Sequence, residues 1–117
     1  MSASESIEPV EMRAPKGGTT LEITWSDGAT SRYRHAILRG FCPCAHCQGH
    51  QGPVGWAAAA TDADLAILDI EEVGNYAVRL VFADGHSTGI YSFRFLRDLG
   101  AASELPLEDA KLLRFSR

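Results

Sequence analysis

Leu21-Glu22-Ile23-Thr24-Trp25-Ser26-Asp27-Gly28-Ala29-Thr30-Ser31-Arg32-Tyr33 returns in altered form as Val78-Arg79-Leu80-Val81-Phe82-Ala83-Asp84-Gly85-His86-Ser87-Thr88-Gly89-Ile90-Tyr91. Ile37-Leu38-Arg39 follows the first copy and Phe95-Leu96-Arg97 the second, and one inserted residue keeps these endings in step. Apolar residues alternate ahead of each Asp-Gly pair, at Leu21, Ile23 and Trp25 and at Val78, Leu80 and Phe82. Alternation marks a strand with one buried face. Asp-Gly between two such runs marks a hairpin, because glycine adopts the positive φ that hairpin turns need. The pattern predicts two pseudo-repeated β-hairpins, each followed by a short helical segment. The expected fold class is α+β, mostly β, with the two hairpins joined by a metal-binding loop.

Outside the repeats the signals are shorter. Residues 7–13 read as a leading strand, and Pro9 is tolerated there only at a sheet edge. Ala14 to Gly18 reads as a turn. Residues 48–54 are glycine-rich and suit a loop wrapped near an ion. Asp64 to Val73 reads as a strand entering the second hairpin through Gly74-Asn75, and Ser92 to Leu99 as a short helix stopped by Gly100. The 117 residues make one domain, large enough for a core of its own. Its expected parts are a flexible N-terminus (residues 1–6), the domain proper (7–103) and a partly helical or frayed tail (104–117).

Composition excludes several roles. The net charge of −4 gives no general attraction to nucleic acid or anionic membrane. Nine of the eleven basic residues are arginine, but they are scattered. No run approaches the ~18 apolar residues of a membrane span. Met1-Ser2-Ala3-Ser4-Glu5 lacks the basic and apolar regions of a signal peptide. An odd number of cysteines, crowded together, fits a reducing cytoplasm.

Between the two copies lies Cys42-Pro43-Cys44-Ala45-His46-Cys47, which holds all three cysteines of the chain. Thiolates this crowded read as metal ligands, and C-x-C-x-x-C suits zinc or an iron–sulfur cluster. A closed tetrahedral site needs a fourth ligand. His46 sits between two of the cysteines on a tether too short for the same ion. His50, three residues past Cys47, is a feasible local ligand. His35 precedes the first helical segment and has no special placement. His86 stands where the first copy has Ala29, a difference that invites a functional reason, although a lone turn histidine is more often simply solvated. On the residues alone, His50 and His86 both remain open.

Trp25-Ser26-Asp27-Gly28, Leu38-Arg39, the cysteine run and Asp84-Gly85-His86 together resemble the N-terminal domain of gamma-butyrobetaine hydroxylase. They equally resemble the small stand-alone bacterial proteins built from that domain. The resemblance spans roughly residues 7 to 100, and the spaced combination is more specific than any single motif. It implies a zinc ion held by Cys42, Cys44, Cys47 and His86, with an iron–sulfur cluster as the alternative. Binding energy at a structural zinc is folding energy, on the order of 10 kcal/mol or more in small domains. The chain departs from the common W-L-R-D-x-C-P-C form by carrying Gly40 in place of Asp, which removes a candidate supporting contact.

The parent hydroxylase carries its iron and 2-oxoglutarate in a separate C-terminal domain. That chemistry needs a 2-His-1-carboxylate set, and none of the four histidines is followed by the His-x-Asp/Glu pattern. Cys44-Ala45-His46-Cys47 is formally C-x-x-C, but it follows a hairpin rather than opening a helix in a βαβ unit. No phosphate-binding loop, dinucleotide fingerprint or nucleophile elbow is present. The chain is therefore read as a small cytoplasmic binding or adaptor domain, not an enzyme. Similar domains occur fused to P-loop ATPases of the iron–sulfur carrier type. The resemblance thus implies such a protein partner and an accessory role in cluster assembly or delivery. The alternative is an enzyme-class role, as a thiol redox protein or an accessory of a 2-oxoglutarate-dependent oxygenase system.

Overall fold

In the computed structural model, which describes residues 7–15, 17–44, 48, 53–57 and 66–115, the repeat is longer than the hairpin. Its first copy comprises β1 (Pro9–Arg13), β2 (Thr20–Trp25), β3 (Thr30–Arg34) and α1 (His35–Gly40). The second comprises β4 (Ile67–Val73), β5 (Ala77–Phe82), β6 (Ile90–Ser92) and α2 (Phe93–Leu99). Each set of strands forms an antiparallel sheet, in the orders β1-β2-β3 and β4-β5-β6. The fold is α+β and mostly strand, as the alternation predicts. The outer strands β1 and β4 complete the repeat, and each breaks register near its start, between Pro9 and Glu11 and between Ile67 and Asp69. Pro9 lies on an edge strand, where its missing N–H costs no ladder bond.

The period-2 pattern drives one face of each sheet into a shared core. Leu21, Ile23, Trp25, Val78, Leu80 and Phe82 are all buried, together with Ile37 and Leu38 of α1 and Phe95, Leu96 and Leu99 of α2. The two Asp-Gly turns are alike. Gly28 N–H donates to the Trp25 carbonyl and Trp25 N–H to the Ala29 carbonyl, at 3.0 and 2.8 Å. The Gly85–Phe82 and Phe82–His86 bonds repeat this at 3.0 and 3.0 Å. Gly28 and Gly85 have φ of 90° and 87°. A Cβ at either would meet nothing within 4 Å, so glycine is required by backbone conformation and not by crowding.

The repeats grip each other reciprocally. Tyr33 Oη donates to the Leu96 carbonyl at 2.5 Å, and Tyr91 Oη to the Leu38 carbonyl at 2.6 Å. Arg97 pairs with Asp27 at 2.9 Å, and Arg39 with Asp84 at 3.0 Å. Each of these two tyrosine bonds and two ion pairs thus has its counterpart in the other direction. This is the logic of a two-fold dimer interface, made within one chain.

Segment 104–117, set apart as a tail on sequence grounds, contributes to the same core through residue 115. A 3-10 turn (Ala102–Glu104) leads to α3 (Leu107–Ala110), and Ala102 and Ala110 are fully buried. Phe115 forms a backbone bridge with Val54 and packs edge-on against Phe41 and Phe95, with ring centroids 5.4 and 6.2 Å away. Among the described residues no helix is long and apolar enough to cross a membrane.

Candidate metal centre

α1 ends at Gly40, and Phe41 caps it with an N–H bond to the Ile37 carbonyl. The chain then turns inward. Cys42 is fully buried and Cys44 is 9 % exposed. His86 arrives from the opposite repeat, as the first residue past the Asp84-Gly85 turn. Its Nε2 lies 3.1 Å from Cys42 Sγ and 3.7 Å from Cys44 Sγ. The three ligand atoms all lie within 4.8 Å of one another. A tetrahedral zinc, with Zn–S about 2.3 Å and Zn–N about 2.0 Å, sets sulfur and nitrogen roughly 3.5 Å apart. The two observed separations bracket that value, so the donors fit a soft, thiophilic ion.

Both sides of the cluster are clamped from behind. Asp84 Oδ1 accepts the His86 N–H at 3.0 Å, while Asp84 Oδ2 accepts from Arg39 Nε at 3.0 Å. Burial pushes the Asp84 carboxyl up, but the His86 N–H and the Arg39 guanidinium outweigh it and hold the group below its ordinary 3.8. Arg39 stands three residues before Cys42, so one ion pair ties the thiol-bearing helix end to the imidazole-bearing turn. Tyr91 binds that same helix end through Leu38. Gly89 makes room for the sulfur, since a Cβ there would lie 2.5 Å from Cys42 Sγ.

The chain beyond the cysteines is stitched to the site by Gln48. Its side-chain amide donates to the carbonyls of Cys42 and Gly55, at 3.0 and 2.8 Å, and accepts the Gly55 N–H at 3.1 Å. Gly40 proves to be a steric requirement: a Cβ there would lie 2.2 Å from the Trp56 ring. The indole occupies the space that a larger residue at position 40 would need, and it packs edge-on against Phe41 at 5.6 Å.

Of the four ligands implied by the family resemblance, the structure brings together Cys42, Cys44 and His86. Cys47 lies outside the described residues, as do His46 and the rival ligand His50. His35 is buried in α1 at 1 % exposure and takes no part in this cluster. Sequence reading missed Arg39, Asp84, Gly89 and Gln48 as supporting residues. The Leu-Arg endings and Asp-Gly turns did carry a signal for the first two, since both occur twice. Nothing local distinguishes Gly89 or Gln48. Three donors lie close enough to hold one metal ion, and in a tetrahedral site the fourth group decides between a structural and a catalytic role.

Fold and site together define a class: a small domain of two interlocked three-stranded sheets with a cysteine–histidine cluster at one crossing. Residues 12–97 match the family described as gamma-butyrobetaine hydroxylase-like, N-terminal, and the chain belongs to that family. It resembles the 1.93 Å crystal structure of a protein of unknown function, assigned to the DUF971 family, from Acidithiobacillus ferrooxidans ATCC 23270. The two are 36% identical with a TM-score of 0.64, over 80% of this chain and 92% of that one. An NMR solution structure is similar at 32% identity and a TM-score of 0.72, covering 96% of this chain and 82% of the other. A second NMR structure, at 22% identity and a TM-score of 0.63, shares the fold. No curated protein matches the chain.

Proposed function

We propose that the chain is a zinc-stabilised binding or adaptor domain and not an enzyme. The observation that carries this reading is the convergence of Cys42, Cys44 and His86 from separate repeats onto one ion-sized space. Cys47, the third thiolate of the C-x-C-x-x-C run, completes a closed Cys3His shell in this reading. A closed shell leaves no position for water or substrate, so the ion serves the fold. Its ligands tie the end of α1 to the second turn, on either side of the long stretch between the repeats. Elemental analysis of protein purified without added metal tests the ion, with about one zinc per chain expected. No zinc, or iron accompanied by acid-labile sulfide, overturns it.

The partner in this reading is a protein, a P-loop ATPase of the iron–sulfur carrier type, and the domain acts in cluster assembly or delivery in the cytoplasm. The support is the family's association with such ATPases. Calorimetry between the zinc-loaded chain and a purified ATPase of that class tests it. Absence of binding removes the partner and leaves the metal reading intact.

A further inference from the structure

Among the described residues, β1 pairs only with β2 and β4 only with β5, so both are sheet edges. Together they wall one groove of about 430 Å3, within the ~300–1,000 Å3 range of ligand sites. Met12 of β1 and Ile70 of β4 face it from equivalent places in the two repeats, and Phe93 joins them at the start of α2. All three are half-buried, which makes an apolar floor. The rim is acidic: Glu8, Glu11 and Glu72 line the groove, and among the described residues no lysine, arginine or histidine does. At one end, past Asn75 and Phe93, an adjoining cleft that shares Glu8 reaches Tyr76 and Arg94. Cys42, Cys44 and His86 do not line it.

Exposed strand edges pair readily with other chains, and proteins usually blunt them. Here Pro9 and the broken register blunt only the beginning of β1, while Glu11, Met12 and Arg13 keep regular pairing with Thr24, Ile23 and Glu22. Val10 is 64 % exposed beside the groove. We infer that this groove docks an extended protein segment in which apolar and basic side chains alternate, added as a strand to the outer edge of β1. Apolar side chains of the segment settle over Met12, Ile70 and Phe93. Lysine or arginine side chains meet Glu8, Glu11 and Glu72, which set the choice of partner more than the strength of binding. A second copy of this chain fits less well, because it brings the same three carboxylates to the contact.

The test titrates the full-length, isotope-labelled protein with short synthetic peptides. One alternates valine and lysine, one has glutamate for lysine, and one has proline at alternate positions and so lacks half its pairing N–H groups. The valine–lysine peptide is expected to move the amide signals of residues 10–13, 70 and 72 saturably, and the other two are not. In the double variant Glu11→Lys, Glu72→Lys, two exposed positions are reversed. It is expected to bind that peptide about tenfold more weakly and to gain affinity for the valine–glutamate one. No response to any peptide, equal response to both charges, or shifts confined to other surfaces overturns the inference. So do concentration-dependent shifts without peptide that the double variant abolishes, which would make the groove a contact between copies.

Discussion

The molecule has two crossings between its repeats, alike in backbone and unlike in chemistry. At one, Arg97 holds Asp27 and the turn is followed by Ala29; at the other, Arg39 holds Asp84 and the turn is followed by His86. Three and five residues past the arginine, the first crossing has Gly100 and Ala102, the second Cys42 and Cys44. Ala102 is fully buried, and Arg97 lies over the Trp25 ring at 5.5 Å. Packing alone completes the first crossing. The second is completed by a donor set, and its arginine is more enclosed, 12 % exposed against 34 %. Turn, ion pair and tyrosine bond therefore do not depend on a metal, and the ligands are an addition to one copy of a shared contact. The reason lies in the chain beyond each crossing. After Arg97 it runs directly into the 3-10 turn and α3, whereas after Arg39 it enters the long stretch leading to β4. Closing a longer loop costs more entropy, and a clip at its base offsets that cost.

The ligands separate the two crossings most decisively. His86→Ala and Cys44→Ala are each expected to abolish tight zinc binding and lower stability by several kcal/mol. Chelator-treated, unmutated protein should melt at the temperature of either variant. If all of these melt together with the metal-loaded protein, the second crossing is as independent of metal as the first.

Next come the two tyrosines. Tyr33→Phe and Tyr91→Phe each take a hydroxyl donor away from a buried carbonyl, at about 1–3 kcal/mol. Reciprocal geometry predicts near-equal losses in urea unfolding, and a large inequality would show which crossing carries the fold. Burial pushes the Tyr33 hydroxyl up to about 12 from its ordinary 10. A raised value means the neutral phenol is favoured when folded. This contribution is complete below pH 10 and disappears as pH rises towards 12, which Tyr33→Phe should abolish.

The arginines separate support of the ion from support of the fold. Arg39→Gln is expected to weaken zinc binding about 10–100-fold, the usual effect of losing a group that orients a ligand. Arg97→Gln should leave zinc affinity unchanged, although both variants lose an equivalent ion pair. Competition against a chromophoric chelator reads the difference, and equal affinities would show that Asp84 holds His86 unaided. The smallest effect belongs to Asp27, whose carboxyl is held below 3.8 by Arg97 and then by the Ala29 N–H. A depressed value adds stability above pH 3.8 that is lost as pH falls through the folded value. Asp27→Asn should flatten that part of the acid unfolding curve.

Leu21, Ile23 and Trp25, with Val78, Leu80 and Phe82, make both hairpins legible, because side-chain alternation is a local property of a strand. The doubled Asp-Gly turns are legible for the same reason. Cys42 and Cys44 stand out by crowding, and His86 by its departure from Ala29. β1 and β4 are readable as strands but not as parts of the repeat. Their sequences, Pro-Val-Glu-Met-Arg and Ile-Leu-Asp-Ile-Glu-Glu-Val, share little beyond the apolar residues that face the groove. Residues 104–115 read as a partly helical or frayed tail because the apolar positions Leu107, Ala110 and Leu113 span too short a run to fix an element. The place of Phe115 depends on Val54, Phe41 and Phe95 arriving from elsewhere in the chain.

By itself the sequence determined the strand content, the two turns, the short helices and the residue types able to hold a soft metal. Each of these depends on spacing within a dozen or so residues. Only the tertiary structure decided that the copies interlock, with Arg39 reaching Asp84, Tyr91 reaching Leu38 and Gly89 giving way to the Cys42 sulfur. The same holds for the space under Trp56 that requires Gly40. These partners are far apart along the chain. What selects them is the mutual fit of two buried faces, a property of packed surfaces that no local pattern encodes.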